Sequence, residues 1–176
     1  RGLSTRDVEE AFRDPYTGEL LLSRTAVSEI TESLWEDYQQ FCQRELNDFE
    51  VEYLFLDAVY ESLRRQGNIK EALLCAWGVC RDGRKVLLHL ALGNKESSSA
   101  WREFIRDRQR RGLSVPALVA SDGAPALIAV IEELYPHSLR QRCLMHKTRN
   151  ILDKVPQGQQ TDVKRAVQAI WNAPNR

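Results

Sequence analysis

The sequence lacks several features that would assign its class at once. No apolar run approaches the roughly 20 residues that a membrane-spanning helix needs, and no charged start followed by an apolar segment marks a signal peptide. Lys and Arg together number 25, as do Asp and Glu, so the formal net charge is zero. This balance excludes a uniformly basic nucleic-acid coat but permits a local basic patch. We therefore expect a cytoplasmic protein that does not enter membranes.

The cysteines also lack the spacing of a metal or redox motif. None of the four forms a Cys-x-x-Cys pair, which excludes a zinc ribbon and a thioredoxin motif. Cys75 and Cys80 lie in apolar runs, and we interpret both as reduced thiols that pack in the core. Without a secretory signal, a reducing compartment fits these free thiols.

What is present indicates a folded domain. The 176 residues are 43% apolar and 28% charged, which is enough to build a core for one domain of ordinary size with a small appendage. No internal repeat or low-complexity tract occurs. Because the chain begins with Arg1 and not Met, we expect it to be part of a longer protein.

Residues 1–48 predict two helices joined by a turn. Ser4 and Asp7 have the spacing of a capping box, and Ser23 can cap the second helix. The arrangement is compatible with a DNA-binding helix-turn-helix, and a plain packing hairpin is the alternative. Acidic residues further along the second helix would repel phosphate. The predicted DNA contacts therefore lie on its leading turn, at Arg24, Thr25 and Ser28.

From residue 49 onward the pattern changes. Three runs rich in β-branched and aromatic residues predict strands with hairpin-length connections, at residues 51–60, 72–80 and 85–92. The remaining chain predicts alternating helices and strands, with strands at residues 115–120 and 139–145. The order β-β-β-α-β-α-β-α predicts a mixed α/β fold, with three antiparallel strands followed by a crossover part.

Two aspartates stand where a sheet could place a site. Asp57 interrupts an apolar strand, where a charge is unfavourable unless it is paired or bound to metal. Asp122 ends the fourth strand, directly before Gly123 and a helix, where α/β folds place ligand sites. Two such carboxylates on neighbouring strands could share Mg²⁺. The alternative is structural, with Asp57 capping a strand or pairing with Arg64, and Asp122 serving as a turn residue.

Several strings resemble the Mutator-type transposases of bacterial insertion sequences. They are Leu-Asp-Ala-Val-Tyr at residues 56–60, Ser-Asp-Gly at residues 121–123 and Arg-Cys-Leu-Met-His-Lys-Thr-Arg-Asn at residues 142–150, and residues 2–8 are similar as well. The strings are specific in combination and not singly. The predicted order of elements is also that of ribonuclease-H-like nucleases and integrases.

The resemblance implies a DDE transposase, which cuts DNA at the element ends and joins the 3′ ends to a target with two Mg²⁺ or Mn²⁺ ions. It makes Asp57 and Asp122 the first two catalytic and metal-binding carboxylates. The third, a glutamate, is expected beyond a helical insertion, so we expect this chain to lack it. Glu132 and Glu133 do not match its place. DNA, a second copy in a homodimer and a bacterial, nucleoid-associated location are implied as well.

The same resemblance divides the chain into three parts. They are a helical segment at residues 1–48, a ribonuclease-H-like catalytic core at residues 49–153, and the start of the insertion at residues 154–176.

Cys143 and His146 form a Cys-x-x-His string that the family carries near its active site. We interpret the pair as active-site support, with His146 contacting a phosphate or orienting metal-bound water. A backbone-satisfied histidine at a strand end is the alternative. Half of a zinc site would need a second half, which the sequence does not offer.

Basic residues concentrate in two places. The first group surrounds the Cys-x-x-His string, and we predict that it binds DNA phosphate; its members are Arg140, Arg142, Lys147, Arg149 and Lys154. The second crowds the helix after the third strand, beside Glu103 and Asp107, and predicts a solvated, salt-bridged face; its members are Arg102, Arg106, Arg108, Arg110 and Arg111.

Three functions remain open on the sequence. The first is the catalytic part of a DDE transposase. The second is a non-catalytic, truncated or domesticated derivative that binds DNA, and the absent glutamate favours it. The third is another ribonuclease-H-like nuclease.

Overall fold

The computed structural model describes residues 4–62, 70–93 and 97–174. Within these ranges the chain forms six α-helices and five strands. The helices are α1 (Thr5–Ala11), α2 (Arg24–Gln43), α3 (Ser98–Arg110), α4 (Pro125–Leu134), α5 (Leu144–Leu152) and α6 (Gln160–Trp171), with a 3-10 turn at Gln157–Gln159 before α6. The strands are β1 (Val51–Ser62), β2 (Lys70–Cys80), β3 (Lys85–Gly93), β4 (Leu118–Ser121) and β5 (Leu139–Arg142).

The five strands form one mixed sheet in the order β3-β2-β1-β4-β5. The strands β1, β2 and β3 pair antiparallel, whereas β4 runs parallel to both β1 and β5. The predicted mixed α/β class is confirmed, and the order of elements is compatible with a ribonuclease-H-like fold.

One face of the sheet carries the core because alternate side chains point toward α3 and α4. Leu54 and Leu56 of β1 are buried, as are Leu74 and Ala76 of β2. The apolar stripes of the two helices pack in the same core, and they consist of Trp101, Phe104 and Ile105 on α3 and Leu127, Val130 and Ile131 on α4.

The opposite face of β1 and β2 is more open. Tyr53 and Phe55 alternate with the buried leucines, and Phe55 lies opposite Trp77; all three aromatic side chains are exposed. Cys75 has the same parity and is only partly buried, so the prediction that it packs in the core is wrong. Cys80 is buried as predicted.

Several local predictions are confirmed. The Ser4 hydroxyl accepts a hydrogen bond from the Asp7 N–H, and the Asp7 carboxylate accepts one from the Ser4 N–H, which completes the capping box of α1. Ser23 caps α2 and Ser97 caps α3. The turn predicted at residues 66–68 lies outside the described residues.

The later strands are shorter than predicted. The fourth begins at Leu118, after Pro116, which has no N–H to offer a sheet. The last strand ends at Arg142 instead of residue 145, because Leu144 already begins α5.

The helix α2 packs along β3, which is one edge of the sheet. The Tyr38 hydroxyl donates to the Leu90 carbonyl at 3.0 Å, and the Arg44 guanidinium donates to the Leu87 carbonyl. These contacts occupy carbonyls that an open edge would expose. No helix in the described ranges is both long and apolar enough to cross a bilayer.

The basic face of α3 is salt-bridged as predicted at Arg102, which lies 2.7 Å from Glu133, and at Arg110, which lies 2.6 Å from Glu103. Arg108 and Arg111 are buried, so the prediction of a solvated position is wrong for both, although Arg111 is salt-bridged, with its Nε 3.0 Å from Asp107. They fall on the side of α3 that faces the rest of the protein, and the Arg108 guanidinium carbon lies 3.7 Å from the centroid of the Phe104 ring.

Candidate active site

The two aspartates follow the last residue pair of the β1–β4 ladder, on two inner strands of the sheet. In the parallel pairing of β1 with β4, Leu56 is opposite Ser121. The next residue on each strand is an aspartate, Asp57 and Asp122. Neighbouring strands are about 4.8 Å apart, so the register puts the two aspartates at neighbouring backbone positions.

Each carboxylate has one oxygen engaged by a nearby backbone N–H. Oδ1 of Asp57 accepts from Ala58 at 2.9 Å, and Oδ1 of Asp122 accepts from Ala124 at 2.9 Å. The Asp122 bond stabilises the turn into α4, so this residue also has the structural role that the alternative interpretation predicted. The Oδ2 atom of each carboxylate accepts no hydrogen bond from the described residues and is available to a ligand.

The side chain of Asp57 is less buried than the sequence suggested. Its exposed fraction is 50%, because it has the parity of the open sheet face and not that of Leu54 and Leu56. No Lys or Arg among the described residues forms an ion pair with Asp57. Arg64, the partner considered from the sequence, lies outside the described residues.

The Cys-x-x-His string begins a helix instead of ending a strand. The Cys143 N–H donates to the Ser121 carbonyl at 2.7 Å, and Cys143 is the N-cap residue directly before α5. This contact joins the start of α5 to the end of β4. One turn later, Nε2 of His146 lies 3.9 Å from Oδ1 of Asp57. The fold therefore brings His146 to the first aspartate.

The three candidate side chains Asp57, Asp122 and His146 do not by themselves form a metal site. The described residues contain no group of three or more His, Cys, Asp or Glu side chains that could hold a metal ion. Glu132 and Glu133 lie on α4 and are engaged by Arg140 and Arg102.

The predicted DNA-binding residues of β5 and α5 differ in their contacts. Arg140 is paired with Glu132 at 2.8 Å. Arg142 donates from Nε to the Asp122 carbonyl at 3.3 Å, which places its guanidinium beside the second aspartate. Lys147 lines a cavity together with Arg142, whereas Arg149 lines a different cavity, between α5 and α6.

The predicted DNA contacts of the N-terminal segment lie on another part of the molecule. Thr25 and Ser28 are exposed on the first turns of α2, and Arg24 is paired with Glu9 at 2.7 Å. This helix packs against β3, whereas the basic residues above belong to β5 and the helix that follows it. No contact among the described residues joins the leading turn of α2 to β5 or α5.

One close approach at the site was missed from the sequence. Gly123 has a φ of 92°, and a Cβ built on it would lie 2.6 Å from Nε of Arg142. Glycine is therefore required here both for its backbone conformation and for the space that Arg142 occupies. The Ser-Asp-Gly string indicated a sharp turn, but nothing in the sequence indicated that the side chain of Arg142 packs against Gly123.

A comparison with protein families assigns the whole chain. The model of the family described as "Transposase, Mutator family" matches residues 1–176.

The chain belongs to the Mutator family of transposases.

Curated relatives agree with this family assignment. The chain is 31% identical over 172 residues to the transposase for insertion sequence element IS6120 of Mycolicibacterium smegmatis, covering 98% of this chain and 53% of that protein. It is 38% identical over 157 residues to the transposase for element ISRM5 of Rhizobium meliloti, covering 89% of this chain and 39% of that protein. The chain thus spans about half, or less, of the length of these relatives.

Proposed function

We propose that this chain carries part of the catalytic site of a DDE transposase, which cleaves DNA at the ends of an insertion sequence and transfers the 3′ ends to a target. The observation that carries the proposal is the parallel register of Leu56 with Ser121, which sets Asp57 beside Asp122. Membership of the Mutator family supports the class of reaction. A homodimer acting on paired DNA ends belongs to the same proposal.

The two carboxylates fit a hard divalent cation such as Mg²⁺ or Mn²⁺. Each presents an oxygen that accepts no bond from the described residues, and Mg²⁺ is commonly held by one or two carboxylates together with substrate phosphate. When bound, a pair of such ions activates the attacking oxygen and stabilises the leaving one. Because only two carboxylates meet here, we propose that the third ligand, a glutamate, is supplied from outside the described residues.

The protein groups have distinct roles in this proposal. The Ala58 and Ala124 N–H groups hold Oδ1 of each aspartate, so that both carboxylates keep a defined orientation. His146, close to Asp57, orients a water molecule or contacts a phosphate. Arg142 fixes the turn that carries Asp122 through its bond to that residue's carbonyl.

The test compares DNA cleavage with DNA binding in the transposase that contains this chain. Asp57→Asn and Asp122→Asn keep the side-chain shape and remove the charge that attracts the cation. We expect both variants to lose cleavage of end-labelled element DNA in Mg²⁺ and to retain a mobility shift in EDTA. Asp162→Asn, at an exposed position on α6, is the matched control and should cut normally. Wild-type cleavage by either active-site variant would show that these aspartates are structural.

A further inference from the structure

The helix α5 has two chemically different faces. Leu144, Thr148 and Leu152 line the cavity against α6, where Trp171 donates from Nε1 to the Thr148 hydroxyl at 3.2 Å. Lys147 and Asn150 lie three positions apart on α5, and Lys154 lies two residues beyond its end. With Arg142 of β5 they line an open cavity of about 580 Å³.

The cations of this cavity are unneutralised. Arg142, Lys147 and Lys154 form no ion pair within the described ranges, whereas the neighbouring Arg140 is paired with Glu132 at 2.8 Å. Asp153 is the one carboxylate among the described lining residues. The lining therefore has a surplus of positive charge, and the Asn150 amide adds an uncharged group that can donate hydrogen bonds.

Arg142 connects this cavity to the candidate active site. Its Nε donates to the Asp122 carbonyl at 3.3 Å, and its side chain lies in the space left by the missing Cβ of Gly123. The same side chain forms part of the cavity wall. A group bound in the cavity would consequently lie next to the turn that carries the second aspartate.

We propose that this cavity, formed by Arg142, Lys147, Asn150 and Lys154, binds a backbone phosphate of the DNA strand that enters the active site. The proposal rests on the proposed function, since it assumes DNA as the substrate. A guanidinium, two ammonium groups and an amide are suitable donors to a phosphodiester. Such contacts fix the register and orientation of a strand without reading its sequence. Arg142 therefore serves as a positioning residue between the bound strand and Asp122.

The experiment measures the salt dependence of DNA binding without metal. A fluorescent 20-base-pair duplex of arbitrary sequence is titrated with this chain in EDTA at several KCl concentrations, and binding is followed by anisotropy. The logarithm of the affinity falls with the logarithm of the salt concentration, and each lost phosphate contact makes this slope shallower by about 0.9. We expect this change for Lys147→Ala and for Lys154→Ala, and roughly 1.8 for the double variant. Asn150→Asp, which adds negative charge to the same wall, should weaken binding as well.

Lys164→Ala is the matched control. Lys164 is an exposed lysine on α6 that lines the cavity on the other side of α5, so its loss should leave the slope unchanged. Unchanged slopes in both Lys147→Ala and Lys154→Ala would overturn the proposal, as would an equal loss in Lys164→Ala. Binding of inorganic phosphate without binding of the duplex would overturn it too. Thermal unfolding followed by circular dichroism verifies that each variant is folded.

These outcomes are separable from a failure of the proposed function. The binding measurement uses no metal and leaves Asp57 and Asp122 intact. If aspartate variants cut normally while the lysine variants lose salt dependence, the catalytic assignment fails and the phosphate site stands. If the aspartate variants lose cleavage while the lysine variants bind normally, the catalytic assignment stands and the phosphate site fails.

Discussion

The side chain of Arg142 fills the space beside Gly123 in which a Cβ on that glycine would lie. A Cβ on Gly123 would lie 2.6 Å from Nε and 3.0 Å from Cζ of the arginine. The φ of Gly123 is 92°, a value that other residues rarely adopt. The turn after Asp122 therefore depends on glycine twice, once for the backbone and once for the side chain packed on it.

We predict that Gly123→Ala lowers the free energy of unfolding by about 1–3 kcal/mol from backbone strain, and further through displacement of Arg142. Gly83→Ala is the control, because Gly83 has a φ of 85° but no atom within 4 Å of its built Cβ. Urea unfolding of both variants separates strain from collision. If the free energy of unfolding falls equally in the two variants, the contact between Gly123 and Arg142 does not contribute to stability.

Metal affinity should be low in this chain. With two carboxylates and no third among the described residues at the site, an ion retains more of its water and gains less from the protein. Titration calorimetry with MgCl₂ should show weak binding that Asp57→Ala abolishes. Tight stoichiometric binding that depends on Asp57 would contradict the view that the described site is incomplete.

His89 should make stability pH-dependent. Burial, helped by the charges of Arg111 and Arg108 and opposed by that of Asp107, lowers its pKa to about 4. The unfolded chain, with an ordinary histidine pKa near 6.5, binds more protons between these values. The contribution of the neutral His89 to stability is therefore fully present above pH 6.5 and is lost as the pH falls towards 4.

Urea midpoints at pH 7 and 4.5 test this dependence. We expect the decrease between the two pH values to be smaller in His89→Gln than in the wild type. His137→Gln, at an exposed histidine, should retain the full decrease. An identical decrease in all three proteins would assign the acid sensitivity to other groups.

Arg108 is a buried charge on α3 that stacks on an aromatic ring. None of its three guanidinium nitrogens has a hydrogen-bond partner in the described structure, and burial lowers its pKa to about 9. Its stacking over Phe104 compensates only in part for desolvation. Removing the charge should therefore stabilise the folded state, because the desolvation cost that disappears exceeds the stacking energy that is lost.

We predict that Arg108→Met raises the free energy of unfolding by about 1–3 kcal/mol, as is common when a hydrophobic residue of similar size replaces a buried charge. Arg106→Met on the same helix is the control, because Arg106 is half exposed and its substitution should change stability by less than about 0.5 kcal/mol. Chemical denaturation measures both. Destabilisation by Arg108→Met would mean that the arginine has a partner that compensates its burial.

The sequence by itself determined the local structure and the candidates. Ser4, Ser23 and Ser97 cap helices because a cap depends on residues three positions apart. The order of helices and strands along the chain followed from hydrophobic periodicity, which is also a local property. Asp57 and Asp122 stood out because a charge in or directly after an apolar strand needs an explanation wherever that strand lies.

Only the tertiary structure decided how these pieces meet. The register of Leu56 with Ser121, the approach of His146 to Asp57, and the burial of Arg108 all depend on contacts between residues far apart in the chain. The same holds for the cations, since Arg140 is neutralised by Glu132 while Arg142 lies against Gly123. Charge and periodicity cannot distinguish two arginines two positions apart on one strand, because their partners come from other elements.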